Sequence, residues 1–245
     1  MLQNAMTPHA PRHAHGHARA ADWAGEREQH GAPALESLLL HWPPRVHRLS
    51  ARQVLFHAGQ PRHSLFYVRS GCFKTSVLSE DGREKITGFR MRGDLLGLDS
   101  VDMPAHACDA VALDAAEVWE LPCGKLHEML PVLQERVTAL LAGEIRRDWR
   151  WMLAVGTLGA DQRVVAFLLD LSARFATMGL DPELLQLRMT RAELGNFLAL
   201  TLETVTRALS RMQARGLIAV DGRRIRILDE AGLRAVLTGE DERVH

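Results

Sequence analysis

Residues 189–216, MTRAELGNFLALTLETVTRALSRMQARG, decide how the chain is read. Thr190 followed by Glu193 has the form of a capping box, in which hydroxyl and carboxylate satisfy the free amides that open a helix. A helix is therefore expected from Arg191, with Leu194, Phe197 and Leu198 as its apolar stripe. Thr201 is a second N-cap candidate and opens a second helix. There Val205, Leu209 and Met212 recur at helical spacing and share the buried face. Glu203, Arg207, Ser210 and Ala214 fall on the opposite side, flanked by Thr206. Two short helices around a tight turn, the second with a polar outer face, suit the major groove of a duplex, where residues near the helix N-terminus reach base edges. Arg207 carries the fork that matches guanine O6 and N7, and Glu203 can accept from the amino group of the paired cytosine. The bland alternative has Glu203 complementing the helix dipole and Arg207 and Arg211 simply solvated.

The next segment of the chain favours the DNA-binding alternative. Residues 217–228, LIAVDGRRIRIL, place an Asp-Gly turn between two strand-like runs, the signal for a hairpin. Such a hairpin is the wing of a winged helix, and Arg223, Arg224 and Arg226 suit phosphate contacts. The whole chain is neutral, with 30 basic and 30 acidic residues. From residue 186 to 227, however, eight arginines stand against Glu193, Glu203 and Asp221, a local net charge of +5. DNA needs such a local surface and not a basic protein overall. The candidate DNA-binding residues are Thr190, Arg191, Thr201, Glu203, Thr206, Arg207, Ser210, Arg211, Arg223 and Arg224.

A chain of 245 residues, 47% hydrophobic, can bury a good core and hold two domains. No apolar run approaches the roughly 20 residues that span a bilayer, and the start lacks a hydrophobic signal core, so no membrane partner and a cytoplasmic location are expected. Cys72, Cys108 and Cys123 are too few and too dispersed for a disulfide framework; they read as small buried or half-buried residues, with a thiol sensor as the alternative. Residues 1–34 read as a disordered tail rich in Ala, His, Gly and Pro. His9, His13, His15 and His17 belong to that tail, with metal binding the lesser reading. A short helix over 35–42 is expected to stop at Pro43 and Pro44.

From residue 46 to 121 short β-branched and aromatic runs alternate with glycine. Gly59, Gly71, Gly82 and Gly93 fall 12, 11 and 11 residues apart, the spacing of a compact barrel or jelly roll. Residues 131–155 read as a helix about 37 Å long. Val137, Leu141, Ile145, Met152 and Val155 form a stripe suited to packing along a twin helix. Asp148 interrupts it: the carboxylate either sits at the seam and opposes pairing or points to solvent. Trp149 and Trp151 add apolar surface beside it. After a break at 156–159, a helix over 161–178 with Val164, Leu168, Leu171 and Phe175 inside and Gly179 as its cap opens the DNA-binding domain.

Four pieces of the chain, LFHAGQPRHSLFYVRSGCFKT, REKITGFRMRGDLLGLDSV, LLAGEIRRD and residues 189–213, resemble the regulator family that includes the cyclic-AMP receptor protein (CRP) and the regulator of fumarate and nitrate reduction (FNR), and are more similar to the FNR branch. The resemblance implies an α+β fold: a cyclic-nucleotide-binding-like β-roll over 35–129, a dimerisation helix over 130–158, a winged helix-turn-helix over 159–237 and a tail over 238–245. It implies a homodimer at a palindromic promoter site. In the FNR branch the half-site is read with Glu-x-x-Ser-Arg, matched here by Glu203, Thr206 and Arg207, with Leu202 where the cyclic-AMP branch has arginine. The resemblance thus implies a TTGAT-N4-ATCAA-like palindrome, its half-site centres about 34 Å apart.

The same resemblance implies that Asp148 is the seam aspartate that disfavours dimers until a signal arrives. Likewise Glu80, Asp81, Gly82, Arg83 and Glu84 match a loop presented to RNA polymerase, with plain solvent-facing surface as the alternative. Two departures bear on the signal. No cysteine precedes Cys72, and Trp119 stands where the cluster-binding cysteine of the roll is expected, which excludes an FNR-type iron-sulfur cluster. In MPAHACDAVAL the phosphate-pairing arginine of cyclic-AMP binders is absent and His106 is present, which disfavours cyclic AMP. The expected function is a transcription regulator, in the first instance an activator. The alternative is a redox or small-molecule sensor whose main act is ligand binding in the roll. An enzyme is the weakest reading, since no P-loop, metal-ligand motif or nucleophile elbow occurs.

Overall fold

The computed structural model describes residues 36–37 and 44–240, with side chains throughout except at 125–136. The expectations for residues 1–34 with their four histidines, for most of the helix over 35–42 and for 241–245 lie outside the described residues.

Eight strands build the first domain: β1 (Arg45–Leu49), β2 (Val54–Phe56), β3 (Ser64–Ser70), β4 (Cys72–Leu78), β5 (Glu84–Met91), β6 (Leu95–Leu96), β7 (Asp109–Ala112) and β8 (Ala116–Pro122). They form two antiparallel sheets, in the orders β1-β8-β3-β6 and β2-β7-β4-β5. The sheets close on Phe56, Val68, Phe73, Leu96, Ala110 and Val118. Strand β3 is buried on both faces, because Leu65 and Tyr67 on its outer side pack with Trp119 and Val137; this is why its sequence is a nearly continuous apolar run. The four spaced glycines all take positive φ at turns. Gly71 has no substitute: at φ 85°, a Cβ would stand 2.5 Å from Ala116 Cβ.

Helix α1 (Cys123–Thr157) continues directly from β8 and is 35 residues long. It begins well before Pro131, inside the stretch expected from sequence to belong to the roll. A proline inside a helix forfeits one backbone hydrogen bond; here the helix continues through it. Helix α2 (Ala160–Thr177) opens the second domain, with β9 (Leu184–Gln186), α3 (Arg191–Leu198), α4 (Leu202–Ala214), β10 (Ile218–Asp221), β11 (Arg224–Ile227) and α5 (Glu230–Thr238). The small sheet runs β10-β11-β9. Its core joins Val164, Leu168 and Leu171 of α2 to Leu194, Val205, Leu209, Ile225 and Leu233.

The two domains meet along β5 and the turn after it. Asp94 accepts from Met91 N at 2.7 Å and from Arg174 of α2 at 2.5 Å, and Arg147 of α1 lies 3.9 Å away. Burial alone would raise the Asp94 carboxyl; Arg174, Arg147 and Arg90 outweigh it and hold the group below its ordinary range. Beside this cluster Phe89, Trp151, Phe167 and Phe197 pack edge to face or tilted, with Trp151 and Phe197 at 4.9 Å between centroids.

The turn between α3 and α4 closes on Gly195. Leu200 N donates to Gly195 O at 2.8 Å, and a Cβ on Gly195 would lie 2.7 Å from Leu200 O. Gly195→Ala is expected to cost about 1–3 kcal/mol by overpacking against backbone. Thermal unfolding should then show a midpoint lowered by several degrees; an unchanged midpoint would mean that the turn relaxes freely.

Candidate nucleic-acid interface

Both helices of the 189–216 stretch start where their caps dictate. Thr190 Oγ1 accepts from Glu193 N at 3.1 Å while Glu193 accepts from Thr190 N at 2.8 Å, a reciprocal capping box. After α3, Ala199 takes the left-handed conformation at φ 54° and reverses the chain. Thr201 caps α4 by accepting from Thr204 N at 3.2 Å. In α4, Val205, Ala208, Leu209 and Met212 are buried, whereas Glu203, Arg207, Ser210, Arg211 and Ala214 are exposed and Thr206 is half-buried.

Glu203 and Arg207 stand four residues apart on the outer face, and neither has a hydrogen-bond or ion-pair partner among the described residues. Thr206 lies beside them, its hydroxyl 3.4 Å from Arg191 Nη1, and Ser210 Oγ donates back to Thr206 O at 3.0 Å. The arrangement offers an acceptor, a hydroxyl and a free guanidinium on one patch at the N-terminal half of a groove-sized helix.

Arg211 differs from the expectation. Its guanidinium forks onto the Asp161 carboxylate at the start of α2, with Nε 2.7 Å from Oδ2 and a second contact from Nη2 to Oδ1. This bidentate pair ties α4 to α2 and leaves Arg211 without a free fork. Arg188 is likewise engaged, 3.2 Å from Asp114 of the roll. Both carboxylates lie outside residues 186–227, so the local charge of +5 overstates the positive surface.

The wing is the β10–β11 hairpin, with Asp221 paired to Arg224 across the Gly222 turn. Arg223, Arg224 and Arg226 are exposed, and Arg223 Nη1 donates to Arg188 O at 3.2 Å. Strand β9, which pairs with β11, and helix α5 complete the domain; β9, at three residues, is too short to signal itself, whereas α5 carries a signal that sequence reasoning missed, the Asp229 cap accepting from Gly232 N at 2.8 Å and the buried Leu233, Val236 and Leu237.

On α1, Val137 and Leu141 pack against the chain's own roll with Leu65 and Trp119, so Val137 leaves the expected seam. Trp151 is buried in the aromatic cluster. The free apolar stripe is instead Ile145, Trp149, Met152 and Leu153, exposed by 49, 62, 68 and 53%. Asp148 lies within it, also exposed, and desolvation raises its carboxyl despite Arg90 and Arg147 nearby.

The tip loop carries Glu80, Asp81, Gly82 and Arg83 on the surface, with Arg83 paired to Asp81 at 2.7 Å. Glu84 is drawn away from the tip: Lys74 holds its carboxylate at 3.0 Å. In the roll, Trp119 is buried beside Tyr67, and the Arg69 guanidinium lies 5.6 Å from its ring centroid. His106 is buried and stacked on Phe56 at 3.7 Å, and desolvation lowers its pKa. Burial pushes the Cys72 thiol up to about 12 and raises Cys108 as well. Cys123 is half-buried and accepts from Arg62 Nη1 at 2.7 Å. A cavity of about 520 Å³ lies between β4, β5, the 98–108 segment and α1, and its Arg90 is 3.6 Å from Glu144. No helix among the described residues is long and apolar enough to cross a membrane.

Comparison with known proteins agrees with this architecture. Residues 46–131 match the cyclic nucleotide-binding domain and residues 162–236 the Crp-like helix-turn-helix domain. The transcriptional activator protein Anr of Pseudomonas aeruginosa is 39% identical over 197 residues, covering 79% of this chain and 81% of the relative. The fumarate nitrate reduction regulatory protein of Klebsiella oxytoca is 39% identical over 195 residues, 78% of each chain. Among solved structures, FixK2 from Bradyrhizobium japonicum superposes with a TM-score of 0.72 at 28% identity, over 79% of this chain and 97% of that one. A nucleotide-binding-type roll joined to a Crp-like helix-turn-helix, in a chain 39% identical to the Pseudomonas and Klebsiella regulators over most of its length, makes this protein a DNA-binding transcription regulator of the CRP/FNR family.

Proposed function

We propose that the protein is a homodimeric activator, without catalytic activity, that reads a TTGAT-N4-ATCAA-like palindrome with one copy of α4 in each half-site. The observation that carries this reading is the exposed, unpartnered pair Glu203 and Arg207 on the free face of α4. Arg207 donates to a guanine, Glu203 accepts from the cytosine of the same pair, and the Thr206 methyl meets a thymine methyl. Arg191, Arg223 and Arg224 supply phosphate contacts, with Thr190 and Thr201 at the helix starts beside them. Arg211 acts as an internal brace.

Two signals are set aside in this proposal. The chain has three cysteines, none before Cys72, one short of the four thiolates that hold an iron-sulfur cluster, so the donor set does not fit one. For cyclic AMP, His106 is stacked and disfavoured as a cation, and the two cations of the cavity wall are engaged elsewhere, Arg90 with Glu144 and Lys85 with the Asn196 and Phe197 carbonyls. The Glu80–Arg83 tip remains the part of the roll offered to RNA polymerase.

A second reading, a sensor whose main act is ligand binding in the roll, draws support from the cavity of about 520 Å³ at the junction of roll and α1. Specific palindrome binding by protein free of any bound small molecule favours the first.

Arg207→Ala should weaken binding to the palindrome by about 1–3 kcal/mol with little change on scrambled DNA; equal losses on both duplexes would reduce Arg207 to a phosphate contact. In the same titrations log K falls with log salt, and each lost phosphate contact makes that slope shallower by about 0.9, hence by about 1.8 for the two protomers of a dimer. Arg224→Ala should show that change and Arg211→Ala should not.

Dimerisation through the Ile145–Trp149–Met152 stripe brings two Asp148 carboxylates towards each other. Association desolvates them further and adds mutual repulsion, so the dimer binds protons more tightly than the monomer. The dimer dissociation constant should therefore fall as pH is lowered through the raised Asp148 pKa. Asp148→Ala should give a tight dimer at every pH. Sedimentation of both proteins across pH is the measurement, and a wild-type dimer insensitive to pH would remove Asp148 from the seam.

A further inference from the structure

Strand β5 is the last strand of its sheet, with β4 on one side and, among the described residues, no strand on the other. An open edge exposes unpaired amides and carbonyls. Here they are filled by side chains of the DNA-binding domain. Asn196, near the end of α3, accepts from Ile86 N through Oδ1 at 2.8 Å and donates from Nδ2 to Glu84 O at 2.8 Å, as a neighbouring strand would. Lys85 reciprocates from the roll, donating to Asn196 O at 2.5 Å and Phe197 O at 3.1 Å, carbonyls of the last turn of α3. Further along, Arg174 of α2 donates to Phe89 O at 3.0 Å.

Glu84 and Phe89 are about 16 Å apart on an extended strand at roughly 3.3 Å per residue. Two anchors at that separation fix a direction as well as a position. The anchors use the C-terminal end of α3 and the buried side of α2. The outer face of α4 and the wing stay exposed in this docked arrangement.

We propose that Asn196 is a positioning residue for operator recognition: by pairing with the open edge of β5 it sets the angle at which α4 is presented, and with it the half-site spacing a dimer accepts. This rests on the palindrome reading above. The bivalent gain in affinity depends on both helices meeting their half-sites at once, so it is sensitive to angle where single-site binding is not.

The test compares full-length wild type, Asn196→Ala and Lys85→Ala on three duplexes: the N4 palindrome, the same half-sites with an N6 spacer, and a single half-site. Hydrogen exchange of residues 84–91 is followed in DNA-free protein. Both variants should lose about tenfold on the N4 palindrome, stay within about twofold on the single half-site and discriminate less between spacers. Asn196→Ala should also exchange faster at Ile86, with the unfolding midpoint unchanged. Equal losses on all three duplexes would reduce Asn196 to a fold-stabilising role and overturn the proposal, as would undiminished spacer discrimination. Tighter binding by the variants would overturn it too, because the clamp would then be holding α4 away from DNA. If the wild type shows no preference for the palindrome, the operator reading fails, and exchange at Ile86 alone judges the clamp: no change there overturns it.

Discussion

The Asp94 carboxylate is only 16% exposed, and a charge so largely removed from water is tolerated only when its partners are in place. Its partners come from three parts of the chain: the Met91 amide at the end of β5, Arg174 of α2 and Arg147 of α1. Moving any of the three away would remove part of what offsets the desolvation of this carboxylate. The relative placement of roll, long helix and DNA-binding domain is therefore a discrete arrangement and not a range of poses. The depressed Asp94 pKa expresses the same fact, since the ionised form is the one the surroundings hold.

From that fixed α2 the polar face of α4 is determined. Val205, Leu209 and Met212 are driven inward by burial of apolar surface, roughly 1.5–3 kcal/mol for each large side chain. Asp161, on the first turn of α2, takes the Arg211 fork at the surface of the same contact. With the apolar stripe turned inward, Glu203 and Arg207 face outward together. The unpaired state of those two side chains is thus a product of packing elsewhere, and it leaves them solvated and available at no cost in buried polarity.

Local chemistry is legible in the sequence and contacts between distant segments are not. The Thr190–Glu193 box, the Thr201 cap, the buried stripe of α4 and the Asp221-Gly222 turn each depend on residues close together in the chain, and each lies where its pattern puts it. Arg211 is misread from the sequence because its partner is fifty residues earlier and no spacing announces it. Val137 fits a heptad stripe equally well whether the stripe meets a twin or the chain's own roll; the partner, not the period, decides. Pro131 suggests a helix start, since proline is favoured there, but the helix has already begun at Cys123. Asn196, Lys74 and Lys85 carry no signal at all, being ordinary polar residues whose roles arise only when α3 meets the edge of β5.

The roll itself bears on how a signal reaches α4 under the proposed reading. Trp119 packs against Tyr67 beneath Arg69, and His106 lies flat on Phe56, so positions that ligand chemistry would use are occupied by ring packing. Paired polar groups lie instead at the boundary of the roll: Arg90 with Glu144, Lys74 shared between Glu84 and Glu193, and Lys85 on the end of α3. The cavity opens onto that same boundary, with Lys85, Arg90, Trp151 and Phe197 in its wall. Anything that enters it or alters its charges acts on the junction directly, without having to deform the sheets. The length of contact between β5 and α3 is then both what holds the reading helix in place and the shortest physical route by which the roll can shift it.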